Sequence, residues 1–397
     1  MKWREVTLGE GIHIKHGYAF KGGFFSDSGQ YIVLTPGNFH EEGGFRLRPE
    51  KDRAYSGDIP DAFILAKNDL IVAMTEQGEG LLGSSAIIPE SDKFLHNQRL
   101  GLLDCIDKQI FDKFFLYYLF NTRSVRHQIS GSASGTKVRH TSPDRIYRVS
   151  VKIPDVKTQQ KIADILSKYD DLIENNRRRI ELLEESARLL YREWFVYLRF
   201  PGHEHTPIID GIPEGWDRIK LEDLANMTMG QSPPSEYYND QGVGLPFHQG
   251  VSNFGARFPE NKTFCTKESR IAEIGDILFS VRAPVGRINL SLDKIIIGRG
   301  LAAIQSKFNQ QNFLFYQLKN YFFKEDMIGG GAIFAAITKK DLYNVQLLTP
   351  SNSLIQLFID QVQPIDKQIK ILYLQNFKLI EARNILLPRL MNGEIAI

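Results

Sequence analysis

The octapeptide YRVSVKIP occupies residues 147–154, and YNVQLLTP stands at residues 343–350. Tyr147/Tyr343, Val149/Val345, Val151/Leu347 and Pro154/Pro350 all match at an offset of 196. In each copy apolar residues alternate up to a proline, the pattern of a strand that stops, and a long charged stretch follows. The match extends outward. KWREVTLGEGIHIKHG near the start is echoed by GWDRIKLEDLANMTMG, with Trp3/Trp216, Val6/Ile219, Leu8/Leu221 and Gly17/Gly230 at an offset of 213. KNDLIVAM (67–74) answers IGDILFSV (274–281) at 207, sharing Asp69/Asp276, and LYYLF (116–120) answers FYQLK (315–319) at 199. A slowly shrinking offset indicates small loop deletions between diverged copies of one fold. Each copy mixes short Gly- and Pro-bounded strands with helical stretches near 110–127 and 310–325, which predicts an α+β domain of about 150 residues.

After Pro154 and Pro350 the offset stays at 196: Gln160/Gln356, Asp164/Asp360, Asp170/Asp366, Ile173/Ile369, Leu183/Leu379 and Leu190/Leu386 match without a gap. An insertion in a packed helix would rotate every later side chain off its seam, whereas one in a loop is cheap. The first seam runs Ile162, Leu166, Tyr169, Ile173, Asn176, Ile180, Leu183, Ala187, Leu190, Trp194, with spacings alternating 4 and 3. The second runs Phe358, Val362, Ile365, Ile369, Leu372, Asn376, Leu379, Arg383, Leu386, Leu390. Both are heptad patterns. Thr158 is expected to cap the first helix and Ser353 with Gln356 to form a capping box for the second. Pro364 is expected to kink or split the second helix, and Arg383, where an aliphatic belongs, to loosen its end. Helices of some 38 residues would be roughly 55 Å long. Two copies of one unit relate most simply by a two-fold axis, which makes the helices antiparallel, places one domain at each end and sets Asn176 against Asn376.

A chain of 397 residues with 42% hydrophobic and 24% charged residues has the length and composition of a globular protein of two or three domains. No apolar run approaches the ~20 residues of a membrane span, and MKWREVTLGE lacks a secretory core, so a cytoplasmic location is expected. Cys105 and Cys265 show neither disulfide nor zinc spacing. The net charge of +2 hides a local excess. Between Asn121 and Ser150, Arg123, Arg126, Lys137, Arg139, Arg145 and Arg148 face the single acid Asp144.

The repeated strand leading into a heptad helix, LYREWFVYLRFPGHE (190–204) ahead of GIPEGW (211–216), and the C-terminal LLPRLMNGEI (386–395) together resemble the specificity (S) subunits of type I restriction–modification systems. The resemblance covers the whole chain. It implies a DNA sequence-specificity subunit reading a bipartite target. Two α+β target-recognition domains (1–155 and 201–350), related by a pseudo-two-fold, would be separated by an antiparallel coiled coil of two conserved helices (156–200 and 351–397). It implies double-stranded DNA and two methyltransferase (M) subunits as partners, with restriction (R) subunits bound indirectly. It also implies no chemistry on this chain: no catalytic residue, metal or cofactor, with S-adenosylmethionine, ATP and Mg2+ on partner subunits. Partner contact is expected along the outer helix faces, with Glu181, Glu184, Glu185, Arg177, Arg178 and Arg188 as candidates.

For a DNA reader, the glycine-rich basic segments before the repeated strands, SGSASGTKVRH (130–140) and GGGAIFAAITKK (329–340), suit phosphate approach. Ser134, Thr136, Lys137, Arg139, His140, Lys339 and Lys340 are the candidates there. Base reading favours Arg, Asn and Gln, which selects Gln77, Gln98, Arg99, Gln249, Asn253, Arg257, Arg282, Arg287 and Arg299. Catalytic motifs fit less well. SPPSEYY (232–238) lacks the aromatic that an adenine-methyltransferase motif carries after its second proline, GSASGTK (131–137) is not a P-loop, and HEH (203–205) has the wrong spacing for a helix-borne zinc pair. Two alternatives remain. Pro143-Asp144 with Asp155-x-Lys157 fits a metal-dependent PD-(D/E)xK-like nuclease, although the second copy has Ser351 and Ser353 for Asp155 and Lys157. A coiled-coil scaffold without a DNA role predicts the same helices.

Overall fold

The computed structural model describes residues 3–48, 51–78, 80–322 and 336–397. It has two compact units, residues 1–176 with 374–397, and residues 177–373. Both are α+β and share one plan.

In the first unit the repeated octapeptide supplies the closing strand. Ser150–Ile153 runs antiparallel to Arg4–Thr7, with Val6 opposite Val151. The Val149 carbonyl accepts the Leu8 amide at 3.0 Å, and the Tyr147 hydroxyl accepts the Ile14 amide at 2.9 Å. The second unit repeats each contact: Ile219 opposite Leu347, Leu221 N–H to the Val345 carbonyl, Met227 N–H to the Tyr343 hydroxyl. The tyrosine, valine and aliphatic recur because each ties the beginning of its domain to its end.

The main sheet of the first unit has four antiparallel strands in the order Ile12–His16, Leu100–Ile106, Leu70–Ala73, Ser85–Ile87. Strand 70–73 is buried on both faces. Leu70 and Val72 enter the core shared with Phe111, Phe115, Leu166 and Leu390, while Ile71 and Ala73 enter a second core with Leu34, Phe39 and Phe94. A strand covered on both sides reads as a continuous apolar run, not an alternating one. In the second unit the sheet is Ala225–Met229, Leu301–Ser306, Ile277–Ser280, Ile288–Leu290. There Ile277 and Phe279 face one core and Leu278 the other. Asp69 and Asp276 fix the turn before the buried strand, accepting the Ala66 and Glu273 amides at 2.9 Å.

Each long helix is continuous for 40 residues, Val156–Phe195 and Asn352–Met391, and each contributes to both units. Every seam residue is buried or half-buried. Within the first unit the helices run antiparallel: Asp170 meets Arg383, and six residues on, Asn176 donates to the Asn376 side chain at 3.0 Å. The Asn376 amide donates in turn to the Ile173 carbonyl, so both buried amides are matched. In the second unit the direction is the same, with Tyr191 against Phe358 and, earlier on the first helix and later on the second, Glu184 joined to Asp366 through Arg257. Asn376→Leu should therefore cost about 1–3 kcal/mol by stranding the Asn176 amide. Asn176→Leu with Asn376→Leu should recover most of that, since an apolar pair needs no partner. Denaturant titrations of the two variants test the coupling, and strictly additive losses would disprove it.

Several expectations need correction. Asp155, not Thr158, caps the first helix: its two oxygens accept the Thr158 amide at 3.1 Å and hydroxyl at 2.9 Å, and these bonds hold its carboxyl below the usual range. The residue that suggested a nuclease is thus occupied as a cap. Gln356 does not close a capping box with Ser353, because its amide is turned to Asp360 at 2.8 Å. The second helix passes through Pro364 unbroken, on an exposed face where water can satisfy the freed carbonyl. Arg383 does not loosen the helix end, since Asp170 accepts from it at 2.6 Å and also from the Tyr118 hydroxyl at 2.6 Å. Tyr316 makes the same bond to Asp366, so the helices at 113–120 and 311–322 align Tyr118 with Tyr316, one residue away from the sequence match at 116–120.

Candidate nucleic-acid interface

The segment after the buried strand organises the first candidate site. Strand Thr75–Glu76 pairs with Arg139–His140, setting Arg139 opposite Glu76 and His140 opposite Thr75. His140 also bridges back to Ser134. Gly135 at the turn has φ +97°, and a Cβ there would lie 2.1 Å from the Val138 carbonyl, so this turn needs glycine. Glu76 is buried and anchors the hairpin. One oxygen accepts the amides of Gly80, Leu81 and Leu82 at 3.1, 3.0 and 2.8 Å, and the other accepts Arg139 at 3.1 Å.

On the other side the Met74 amide donates to the Arg99 carbonyl, and the Met74 carbonyl accepts the Thr141 amide. Ala73 lies opposite Leu100, and Gln98 and Arg99 occupy the turn that the Leu100 amide closes on the Asn97 carbonyl at 2.9 Å. His140 and Thr75 are thus a cross-strand pair, and the turn that carries Gln98 is tied to the same strand end through Met74. The second unit builds the same frame. Ser280 lies opposite Leu301, the Val281 amide donates to the Gly300 carbonyl, and its carbonyl accepts the Ile337 amide, each at 2.9 Å. Arg282 bridges Ala336, and Arg299 sits in the turn that the Leu301 amide closes on the Gly298 carbonyl at 3.0 Å. The corresponding places hold Arg299 at the turn and the pair Arg282 and Ala336.

Other candidates fall into place around these positions. Ser134, Thr136, Lys137 and Gln77 are exposed on or beside the first hairpin, and Arg99 is exposed next to Gln98. Gln249 is exposed with its carbonyl bonded to the Gly300 amide and its side-chain oxygen to the Ser232 hydroxyl. With Arg299, Ser232, Tyr238, Lys267 and Glu268 it lines an open cleft of about 730 Å³. Arg287 is exposed just ahead of strand Ile288–Leu290, Asn253 is half-buried, and Lys339 and Lys340 are exposed at the start of a short helix. Residues 329–335 of the second glycine-rich segment lie outside the described residues.

Arg257 is elsewhere. It is 3% exposed, its guanidinium bonded to Glu184 at 2.9 Å and to Asp366 and lying over the Phe315 ring, so it has no surface left for a base. Glu184 is likewise not a free helix-face acid, since Arg257 and Lys319 both pair with it. The basic stretch 121–150 is also partly consumed. Arg126 donates to the carbonyls of Leu82, Glu41 and Gly80, Arg139 binds Glu76 and Ser130, and Arg145 binds Ser134. These three arginines build the hairpin.

The sequence reading missed Thr75, which no side-chain preference marks, and a set of exposed apolar residues on the long helices. Leu172, Leu374, Phe377 and Ile385 lie on the first unit, and Leu182, Leu189, Leu357 and Ile371 on the second. The signal was present: Leu182, Leu189, Leu357 and Ile371 each directly precede a seam residue.

The family model described as the type I restriction modification DNA specificity domain matches residues 1–185 and 213–379, once for each copy. The chain belongs to that family. A Methanocaldococcus jannaschii protein provisionally named the type I restriction enzyme MjaX specificity subunit is 32% identical over 328 residues, covering 80% of this chain and 76% of its own. The HindI specificity subunit of Haemophilus influenzae is 22% identical, covering 83% and 87%. The crystal structure of a type I restriction-modification S subunit from M. genitalium aligns over 98% of this chain and 96% of its own, with a TM-score of 0.62 and 19% identity. It shares the fold. Specificity subunits are the DNA-recognition component of type I systems and act with modification and restriction subunits. Among the described residues no helix is long and apolar enough to cross a membrane.

Proposed function

We propose that this specificity subunit reads a split DNA target, one half-site per unit, and carries methyltransferase subunits on its long helices. The observation that carries this is the duplicated sheet edge, on which one backbone frame holds Gln98, Thr75 and His140 in one copy and Arg299, Arg282 and Ala336 in the other. A frame kept while its exposed side chains diverge suits two readers of different half-sites. The exposed leucines, isoleucines and phenylalanine of the long helices suit protein docking, because their apolar surface gains from burial against a partner. Two methyltransferase subunits, one for each copy, would bind there and bring restriction subunits indirectly. S-adenosylmethionine, ATP and Mg2+ would be held by those partners in the cytoplasm, and none by this chain.

The test is to co-express the full chain with the methyltransferase subunit of its system and map modified bases across a genome. A two-part motif is expected, and exchanging residues 1–155 or 201–350 should replace one half and leave the other. An unsplit motif, or both halves changing together, would refute the proposal.

A further inference from the structure

We infer that Phe24 in the first unit and Tyr237 in the second are stacking residues, one for each half-site, whose rings lie against a base face bared by opening one base step; this rests on the proposed reading of DNA.

The two rings stand at one place in the repeated fold, at the offset of 213 that relates the beginnings of the domains. Each ends a single 3₁₀ turn, Gly22–Phe24 and Ser235–Tyr237. The Phe24 amide donates to the Lys21 carbonyl, and the Phe24 carbonyl accepts the Ser56 amide at 3.0 Å. The Tyr237 amide donates to the Pro234 carbonyl, and the Tyr237 carbonyl accepts the Thr266 amide at 3.1 Å. The next residue in each copy is aromatic too, but Phe25 and Tyr238 pack into small cores with Tyr55 and Cys265. Phe24 and Tyr237 turn outward and are 47% and 36% exposed. The core explains the second ring of each pair and not the first. Single exposed apolar residues are common, but here the preceding AFKGG (19–23) has become SPPSE (232–236) without one identity while the exposed ring is kept. Both rings are braced. A Cβ on Gly57 would lie 2.8 Å from the Phe24 ring, and the Lys267 ammonium lies 4.9 Å from the centre of the Tyr237 ring.

Each ring is continuous with the candidate interface of its own unit. In the first, Tyr18 is bonded through its amide to the His96 carbonyl and through its carbonyl to the Gln98 amide. From Tyr18 an aromatic row runs by Phe20 and Tyr55 to Phe24, with ring centres 5.1, 4.9 and 6.0 Å apart. At about 3.4 Å per base step, that row spans at most about five steps. In the second, Lys267 lines the cleft of about 730 Å³ together with Arg299, Ser235 and Tyr238. The exposed Lys21 opens the Phe24 turn, so a cation accompanies each ring where phosphates would pass.

The side chains at the matched turns differ, Gln98 against Arg299, whereas the ring is common to both copies. A group common to both cannot tell two half-sites apart, so its contact is one that every base pair offers. Phosphate is such a contact, but a phenyl ring brings it neither charge nor donor. The π-face of a base is another, and stacking on it is tolerant of sequence. Apolar side chains wedged into a base step reach that face by partly unstacking it.

The test uses the full chain with its methyltransferase subunit and duplexes of the mapped motif carrying 2-aminopurine, a base that brightens when unstacked, at one position at a time. Wild type should brighten one step in or beside each half-site. Phe24→Ala should remove the first signal and leave the second, Tyr237→Ala should do the reverse, and Tyr237→Phe should keep both. Each alanine should weaken binding roughly 5- to 150-fold and leave the modified motif unchanged in both halves, which also shows that the variant is folded. Wild type without an unstacked step overturns the inference, whatever the variants do. So do alanine variants that keep both signals, or that lose preference for one base pair only, which would make the rings readers of the thymine methyl group. A split motif in those cases leaves the two-half-site reading standing. Absence of any sequence preference sinks that reading and the inference with it.

Discussion

Arg257→Met is expected to destabilise the second unit by about 3–5 kcal/mol, the cost of leaving a buried ion cluster without its cation. Arg257 joins Glu184 and Asp366, whose side chains are themselves largely covered, and Tyr316 and Asn312 bond the same Asp366 carboxylate. Removing the guanidinium leaves two carboxylates near each other in a poorly solvated place, with Lys319 at 3.5 Å from Glu184 as the remaining cation. The second half of the expectation concerns the neutral replacement. Arg257→Met with Glu184→Gln and Asp366→Asn should recover much of the loss, because no charge then lacks a partner. Hydrogen exchange across residues 177–373 reports the unit directly. If Arg257→Met alone stays within about 1 kcal/mol of wild type, the cluster is not what holds this unit to its helices.

Acid should weaken the first unit through His96. Its ring is fully buried, with Nε2 on the Leu100 carbonyl at 2.9 Å and no partner for Nδ1 among the described residues. Burial pushes its pKa down to about 4 from the ordinary 6.5. The unfolded chain therefore takes up the proton first as pH falls, so stability is complete above about pH 6.5 and declines toward pH 4. At about 1.4 kcal/mol per pKa unit, neutral His96 contributes roughly 3 kcal/mol, of which roughly 2 kcal/mol goes between pH 7 and pH 5. His248 in the second unit is lowered for the same reason, burial. Chemical denaturation at several pH values, with His96→Gln alongside, tests this. A wild type and a His96→Gln variant with equal slopes between pH 7 and pH 5 would rule it out. The effect bears on recognition, since Gln98 stands two residues from the ring that must stay uncharged.

The duplication, the helices and their seam were readable because each imposes a period or an offset on the chain. The octapeptide repeats because Tyr147 and Tyr343, Val151 and Leu347 meet the same partners twice, and a contact made by both copies constrains both. Candidate readers were harder. Gln98 and Arg299 stand at matched places only through two turns bonded to Met74 and to Val281, a relation that couples residues far apart in the chain and leaves no local mark. Arg257 and Arg299 are chemically identical in the sequence. One closes a buried cluster and the other stands free, and only burial separates them. The charge count over 121–150 misled for the same reason, since Arg126, Arg139 and Arg145 spend their donors on carbonyls, Glu76 and Ser130, and Ser134.

The matched carboxylates Asp170 and Asp366 draw their counter-ions from unlike sources, and this makes the two halves unequally portable. Arg383 belongs to the second long helix, at the place that Ala187 fills in the first, and so remains behind when residues 1–155 are exchanged. Arg257 lies inside the exchangeable segment 201–350 and leaves with it. A donor for the amino-terminal half needs only a fitting surface, whereas one for the carboxy-terminal half must also import a positive charge. Chimeras should therefore be tolerated in one direction more readily than in the other, whatever bases the donors read.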